Sequence, residues 1–253
     1  MKVTGRIVLL ASAVLMLLVL SSIVLLTTPS DILEAIRSEE FRYAILLSLA
    51  TSTASTILAL CTALPLAYII AGEKRSSLLA EAILSLPMAM PPVALGVTLL
   101  AFFTRNVLGV TIDKLVGVVF SIPGLVVAQY FVILPLIIKG LRSAIEAIPE
   151  EYIGIARTLG YGPIETLVYI VVPLAWRGIL ASTVLGFARA MGEFGASVML
   201  AGATRLKTET IPIAIYLAME GGDLGLAAAM TIVSLVVAFV VMIGVEVVGK
   251  WRY

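Results

Sequence analysis

Arg189 and Glu193 are charged residues inside the long apolar run Gly178–Thr204. A spacing of four residues places both side chains on one face of a helix. Arg189 lies about 16 Å along such a helix from Gly178, close to the middle of a bilayer. Because charges at that depth face a bundle interior or a wet cavity, the pair predicts either an anion pathway beside Arg189 or a self-neutralising pair that sets helix packing. The neighbouring Gly195 fits either a close helix contact or a hinge.

Three prolines interrupt another apolar run, Ala82–Thr104: Pro87, Pro91 and Pro92. Each proline removes a backbone donor and breaks or kinks a helix. Irregular backbone at membrane depth persists only where protein buries it or where it lines a wet cavity. The prolines therefore predict a broken helix beside a pathway, with a packed kink as the alternative.

A stripe of small and hydroxyl side chains recurs at helical spacing in a third run, Tyr43–Gly72. It comprises Ser48, Ser52, Ser55, Ala59 and Thr62. Such stripes let membrane helices approach closely and form hydrogen bonds. Two interpretations stay open for this one, helix packing and pore lining.

Several kinds of chemistry are disfavoured by the residues that the sequence lacks. There is no histidine, and the single cysteine, Cys61, lies in an apolar run, so we expect no metal site, disulfide or Cys–His nucleophile. No phosphate-binding loop of the G-x-x-x-x-G-K-[ST] type occurs. We therefore expect no catalytic residues, no cofactor, and ATP binding only on a partner chain. The net charge of +1 gives no reason to expect a nucleic-acid partner.

The elements that must position these residues are membrane-spanning helices. Apolar residues make up 61% of the chain and charged residues 13%, against about 45–50% and about 25% in ordinary globular domains. A span needs about 20 apolar residues. The chain is predicted to be an all-α integral membrane protein, one transmembrane domain over residues 1–253 with about six spans. The predicted spans are Ile7–Ser30, Tyr43–Gly72, Ala82–Thr104, Leu115–Ile138, Gly178–Thr204 and Leu224–Val245.

The distribution of Lys and Arg predicts the orientation, because cytoplasmic loops carry an excess of both. With both termini in the cytoplasm, the inner segments hold Lys2, Arg6, Lys74, Arg75, Lys139, Arg142, Arg157, Arg177, Lys250 and Arg252. The outer segments then hold Arg37, Arg42, Arg105, Lys114, Arg205 and Lys207. Ten cations against six favour this orientation.

The largest polar interruption, about residues 139–177, becomes a cytoplasmic loop between spans four and five. A short amphipathic helix is predicted after Pro149, with Glu150 and Glu151 in its first turn, where the helix dipole favours acids. The cluster Gly160–Pro163 ends it, because glycine readily takes positive φ and proline disfavours helix in the preceding residue. Periodicity alone also allows a helix that merely lies on the membrane surface.

This segment resembles the cytoplasmic loop of ABC importer permeases. From Glu150 to Pro173 it reads EEYIGIARTLGYGPIETLVYIVVP, and the permease pattern is E-A-A-x-x-x-G, nine residues, then I-x-L-P. Ala156, Gly160, Ile170 and Pro173 fall on the pattern, whereas Gly154, Ile155 and Val172 depart from it. The resemblance implies a coupling helix on which an ATPase docks, with Glu150, Glu151, Ala156, Arg157, Gly160 and Pro173 as coupling residues.

Two further segments resemble permeases for molybdate, tungstate and sulfate. They are LPMAMPPVALGVTLL, from Leu86 to Leu100, and ARAMGEFGASVMLAGATRLKTETIPIAIY, from Ala188 to Tyr216. This resemblance covers most of the chain after about Tyr43. It implies a homodimeric pore in the cell membrane, two cytoplasmic ATPase subunits and an extracytoplasmic oxyanion-binding protein.

The resemblance and the residues together predict the permease subunit of an ABC importer for molybdate or tungstate, working by alternating access. Pro87, Pro91, Pro92, Arg189, Glu193 and Gly195 are then the expected pathway or gate residues. A sulfate permease is the nearest alternative. A secondary transporter driven by an ion gradient is the alternative of another class, although such folds often contain inverted repeats and no second copy is visible here.

Overall fold

The computed structural model describes residues 2–72 and 78–250, and this part of the chain is helical without strands. Lys74, Arg75 and Arg252, which contribute to the predicted orientation, lie outside the described residues. The helices are α1 Lys2–Ser21, α2 Pro29–Arg37, α3 Glu39–Gly72, α4 Leu78–Ala89, α5 Pro92–Arg105, α6 Val107–Val116, α7 Ile122–Glu146, α8 Glu150–Thr158, α9 Pro163–Thr166, α10 Val172–Met191, α11 Gly195–Ala201, α12 Ile211–Glu220 and α13 Leu224–Lys250.

Four continuous helical stretches in the described residues are long and apolar enough to cross a membrane: Val8–Leu26, Glu39–Gly72, Ile122–Glu146 and Pro163–Met191. The bent pair α4 and α5 raises the possible number to five. The predicted sixth span lies in α13. The structure describes the side chains of this helix continuously as far as Val240. The all-helical membrane fold is confirmed, and the count of six spans stays a prediction.

Two predicted spans have the wrong limits. The fourth, Leu115–Ile138, begins too early because Gly117 at φ +68° ends α6, and α7 then runs from Ile122 to Glu146. The fifth, Gly178–Thr204, is not one helix, since the spanning stretch is Pro163–Met191. A search for charge-free runs joins the apolar end of α6 to α7, and it stops at charged residues such as Lys139 and Arg177 that lie inside the helical stretches.

The predicted loop 139–177 is consequently much shorter, because long helices occupy both of its ends. Only the segment around α8, between Glu146 and Pro163, lies outside them. Pro173 stands in the first turn of α10, directly after a π-helical turn at Leu167–Val171. A π turn is a common device for absorbing an irregularity within a helix, so the chain continues through this proline without stopping.

The core lies where α3, α7 and α10 meet. On α3 the buried Ala59, Ala63 and Ala67 belong to one cluster with Ile133 and Ile137 of α7. Alanine at these places allows the helix axes to approach closely. The three helices form the centre of the bundle, and α4, α5 and α11 pack against α7.

The first span is packed differently from the others. In the stretch Val8–Leu26 no residue is buried, whereas 56% of the residues in the 18-residue apolar segment of Ile122–Glu146 are buried. The chain joins the bundle again at α2, whose first turn is fixed by a capping box: the Thr28 side chain accepts from Asp31 N, and the Asp31 side chain accepts from Thr28 N. The first helix thus leaves an entire apolar surface uncovered by its own protomer.

Candidate functional site

The first interruption of a span lies between α4 and α5. The two helices enclose a bend of 112° around Met90 and Pro91. No side chain caps the first turn of α5, and Pro91 and Pro92 are exposed while Pro87 is half-buried. The helix is therefore broken as predicted, while the pathway beside it stays a prediction. The last carbonyls of α4 and the first N–H groups of α5 have no partner within their own helices, and such groups need a protein partner or water at membrane depth.

The second interruption lies between α10 and α11, and the Glu193 carboxylate binds one group on each side of it. Its Oε1 atom accepts a hydrogen bond from Ala196 N at 2.8 Å, which caps α11. Its Oε2 atom lies 2.8 Å from Nη2 of Arg189, with the Glu193 side chain 1% exposed and the Arg189 side chain 38% exposed. The predicted pair therefore exists. The carboxylate is buried against the helix start, and the guanidinium reaches the open surface.

The two interruptions pack directly against each other through glycines. A Cβ on Gly195 would lie 2.9 Å from Pro92 Cβ and 3.0 Å from Val93 N. A Cβ on Gly96 would lie 2.8 Å from backbone atoms of Ala196. Both distances are shorter than carbon and nitrogen atoms tolerate, so Gly195 serves the close approach of a neighbouring helix. The start of α11, which Glu193 caps, therefore packs directly against the start of α5.

The hydroxyl stripe of α3 packs against other helices instead of lining an open space. Ser52 and Ser55 are fully buried beside Gln129 of α7. Ser48 accepts a hydrogen bond from Ile211 N at 2.7 Å and thereby holds the start of α12. Of the two interpretations, packing is confirmed for these serines, while Thr62 at the end of the stripe is exposed.

At the opposite end of the bundle, α8 ends in a Schellman motif. Tyr161 N donates to Ala156 O and Gly160 N donates to Arg157 O, both at 3.1 Å. Gly160 has φ +87°, and open space surrounds the position of a Cβ there. The requirement for glycine is therefore purely conformational. The predicted helix after Pro149 is confirmed as a helix.

The outer surface of α8 is apolar and uncovered. Tyr152, Ile155 and Leu159 are 51%, 57% and 72% exposed, whereas Ala156 is buried on the inner side. Behind the helix lies a cavity of about 860 Å³ lined by residues that include Tyr68, Ile145, Ile148, Ile153 and Thr166. The helix thus packs on the bundle through Ala156, beside this cavity, and its opposite face is exposed.

A second cavity, of about 650 Å³, lies at the end of the bundle where α3 begins. Its charged lining comprises Glu34, Arg37, Glu40, Arg205 and Glu209. Tyr43 Oη donates to Lys207 O at 3.0 Å, which holds the loop after α11 at the same end. Arg37 and Arg205, two of the six basic residues that the predicted orientation assigns to the outer surface, therefore line one cavity.

Comparison with known proteins gives the family. Residues 63–252 match the family model of the binding-protein-dependent transport system inner membrane component. The chain belongs to this family. It is consequently a multi-pass subunit of a transport system in the plasma membrane, a pore component that works with a binding protein, and not an enzyme.

Curated relatives of this permease cover most of its length. The molybdenum transport system permease protein ModB of Azotobacter vinelandii is 35% identical over 211 residues, which cover 80% of this chain and 93% of the relative. ModB of Escherichia coli K12 is 32% identical, covering 82% and 91%. The probable transport system permease protein NifC of Clostridium pasteurianum is 30% identical, covering 85% and 76%.

Solved structures agree with the fold. The permease superposes with a TM-score of 0.72 on a chain of a bacterial alginate ABC transporter in complex with an alginate pentasaccharide-bound periplasmic protein. The aligned region covers 98% of this chain and 96% of that chain at 18% identity. A bacterial ABC transporter that imports alginate gives a TM-score of 0.70, also at 18% identity. At this identity the likeness establishes the fold alone.

Two groups of predicted residues are brought together by the fold of the permease, one at each site. Pro91, Pro92, Arg189, Glu193 and Gly195 meet at the interruptions, while the α8 residues lie at the end of the bundle. Sequence reasoning missed Gln129 and the buried Glu209, whose Oε2 accepts from Leu206 N at 2.9 Å. A polar residue within an otherwise apolar span is the signal by which Gln129 is recognisable.

Proposed function

We propose that this permease moves molybdate or tungstate into the cell by alternating access, powered by ATP hydrolysis on separate subunits. The observation that carries the proposal is the 35% identity over 93% of a relative named for molybdenum transport. The RAMGEFG segment that contains Arg189 and Glu193 forms the interrupted helix at the centre of the site. Sulfate remains the competitor that an experiment must exclude.

A homodimer is supported by surfaces that one protomer leaves uncovered. No residue of Val8–Leu26 is buried in its own protomer, and Pro91 and Pro92, at the bend between α4 and α5, are exposed. Lipid can cover the first surface but is a poor environment for the second. The ends of α4 and α5 that meet at the bend leave backbone groups without partners in their own helices, and such groups are costly in hydrocarbon. A second copy facing the interruptions would enclose a wet pathway between them.

The pathway proposal depends on the partly exposed Arg189. In a homodimer two such guanidinium groups would face one passage, which suits a divalent anion. Glu193 neutralises each one in part, so the anion is attracted without being held tightly. Weak attraction is what passage requires, since an ion that binds too strongly cannot leave.

Coupling to the ATPase is proposed for the exposed side of α8. Tyr152, Ile155 and Leu159 offer an apolar docking face, with Glu150, Glu151 and Arg157 providing charge around it. Ala156 and Gly160 fix the helix and its end, and Pro173 begins the helix that leads to the interruption at Glu193. Movement of docked ATPases would thereby be transmitted along α10.

The test is uptake by proteoliposomes that contain the permease with its ATPase subunits and its binding protein. We expect ATP-dependent uptake of molybdate that a tenfold excess of tungstate suppresses and the same excess of sulfate leaves largely intact. Equal suppression by sulfate would identify a general oxyanion importer. Uptake driven by an ion gradient in the absence of ATP would contradict the proposal.

The proposed orientation, with both termini and α8 in the cytoplasm, is tested by labelling. In a background in which Cys61 is replaced, single cysteines are placed at Ser38 and Ser143. A membrane-impermeant thiol reagent should label Ser38→Cys in intact cells and Ser143→Cys only after the membrane is opened. The reverse pattern would invert the orientation.

A further inference from the structure

Gln129 is a buried amide at the centre of the bundle, 1% exposed. It lies on α7, seven residues or about 10 Å from the start of that helix. Its Oε1 atom accepts from Ser55 Oγ at 3.3 Å. Its Nε2 atom donates to Ser52 Oγ at 3.5 Å and to Ala190 O at 3.3 Å. The amide therefore uses its acceptor and both donor hydrogens, and it joins three helices.

The contact with Ala190 differs from the other two, because it reaches the backbone of the interrupted helix. Carbonyls in the last turn of a helix have no partner within the helix, and α10 ends at Met191. Ala190 O also accepts from Glu193 N at 3.0 Å. The carbonyl of Ala190, one residue after Arg189, thus accepts hydrogen bonds both from Gln129 and from the backbone N–H of Glu193 in the interruption.

We propose that Gln129 is a positioning residue for the Arg189–Glu193 pair. By fixing the Ala190 carbonyl it sets the direction in which α10 ends, so that Glu193 caps α11 and Arg189 reaches the open surface. The inference rests on the proposed role of Arg189 in anion passage. A general role in helix packing predicts that any partner of the amide matters equally, whereas positioning assigns the effect to the contact with Ala190.

The experiment compares Gln129→Met with Ser55→Ala in the reconstituted complex of permease, ATPases and binding protein. Gln129→Met keeps the length of the side chain and removes all three hydrogen bonds of the amide, those with Ser52, Ser55 and Ala190. Ser55→Ala removes another partner of the same amide and leaves the bond to Ala190 in place. We expect the maximal molybdate uptake rate of Gln129→Met to fall about tenfold, the effect of losing the one buried hydrogen bond to Ala190 in the active geometry. Ser55→Ala should stay within about twofold of wild type.

Two further readouts separate positioning from packing. The concentration of loaded binding protein that gives half-maximal uptake should not change in Gln129→Met, because Gln129 is buried inside the bundle and contributes to no surface on which another protein could dock. In an Arg189→Met background, Gln129→Met should cause almost no additional loss, since a positioning residue acts through the residue it positions. If Gln129→Met does not assemble, Gln129→Asn, whose amide is one methylene shorter, replaces it.

The inference is overturned if Gln129→Met transports like wild type, if Ser55→Ala loses as much activity, or if the losses of Gln129→Met and Arg189→Met multiply. These outcomes leave the proposed function intact. Failure of the proposed function is recognised separately, because the wild-type complex would then show no ATP-dependent molybdate uptake, or Arg189→Met alone would transport normally.

Discussion

The two interrupted spans differ in what binds the backbone groups at the interruption. Between α4 and α5 the interruption is caused by prolines, and no side chain caps the first turn of α5. Between α10 and α11 there is no proline, and the loose backbone groups are bound by Glu193 and by Gln129 from another helix. One break is therefore open and the other is closed by side chains.

The two interruptions therefore have different roles in the membrane domain. The open bend leaves backbone at a surface that must meet water or a second protomer. The closed break holds a charged pair in a fixed place beside it. Gly96 and Gly195 allow the two interruptions to pack in direct contact. We therefore expect the two interruptions to behave as one unit. Substitutions can test each part of this comparison.

The largest effect is expected where the two breaks touch. Gly96→Ala would place a Cβ 2.7 Å from Met199 Cβ and 2.8 Å from backbone atoms of Ala196. Overpacking against backbone costs about 1–3 kcal/mol, and we expect the upper end of this range because both elements are fixed. Gly192→Ala is the matched control, since its nearest atom is 3.9 Å away. Thermal midpoints of the purified complex measure both, and equal midpoints would show that the breaks do not pack as described.

A smaller effect is expected at the end of α8, where the helix is stopped by local sequence alone. Gly160→Ala forces a side chain into a left-handed conformation, which costs about 1–2 kcal/mol. Gly154→Ala lies inside the same helix with open space around it and should stabilise the helix by about 0.5–1 kcal/mol. Stimulation of ATPase activity by loaded binding protein should fall only in Gly160→Ala. Loss of stimulation in both variants would instead assign the effect to the surface of the helix.

The smallest effect is expected at α2, a helix start whose cap is exposed to water. The backbone hydrogen bond from Thr28, followed by that from its side chain, lowers the pKa of Asp31 below its usual 3.8. A lowered pKa means that the stabilisation is present above about pH 4 and disappears as the pH falls through the folded-state pKa. The thermal midpoint of Asp31→Asn should lie slightly below that of wild type at pH 7 and approach it at pH 3. A difference that grows on acidification would contradict the assignment.

The sequence is informative about the open break and much less so about the closed one. Two adjacent prolines remove two successive backbone donors, so Pro91 and Pro92 predict the bend, whereas the single prolines Pro65 and Pro135 lie inside continuous helices. Arg189 and Glu193 are recognisable as a pair because helical spacing is a local property. The contact of Gln129 with Ala190 joins residues that are 61 positions apart, and no local pattern encodes it. The predicted limits of the fourth and fifth spans are wrong for a related reason, because α7 and α10 continue beyond their apolar segments.

The most direct test of the account is molybdate uptake by the double variant Arg189→Met with Glu193→Gln. Both charges leave together, so no buried charge is stranded, and the complex should assemble normally. If Arg189 serves the passage of the anion, uptake should fall by at least about tenfold, the lower end of what a focused field contributes to the arrival of an ion. Arg189→Met alone, which leaves the buried carboxylate without its partner, should be the less stable protein. Uptake by the assembled double variant at the wild-type rate would contradict the account, because the pair would then serve packing alone.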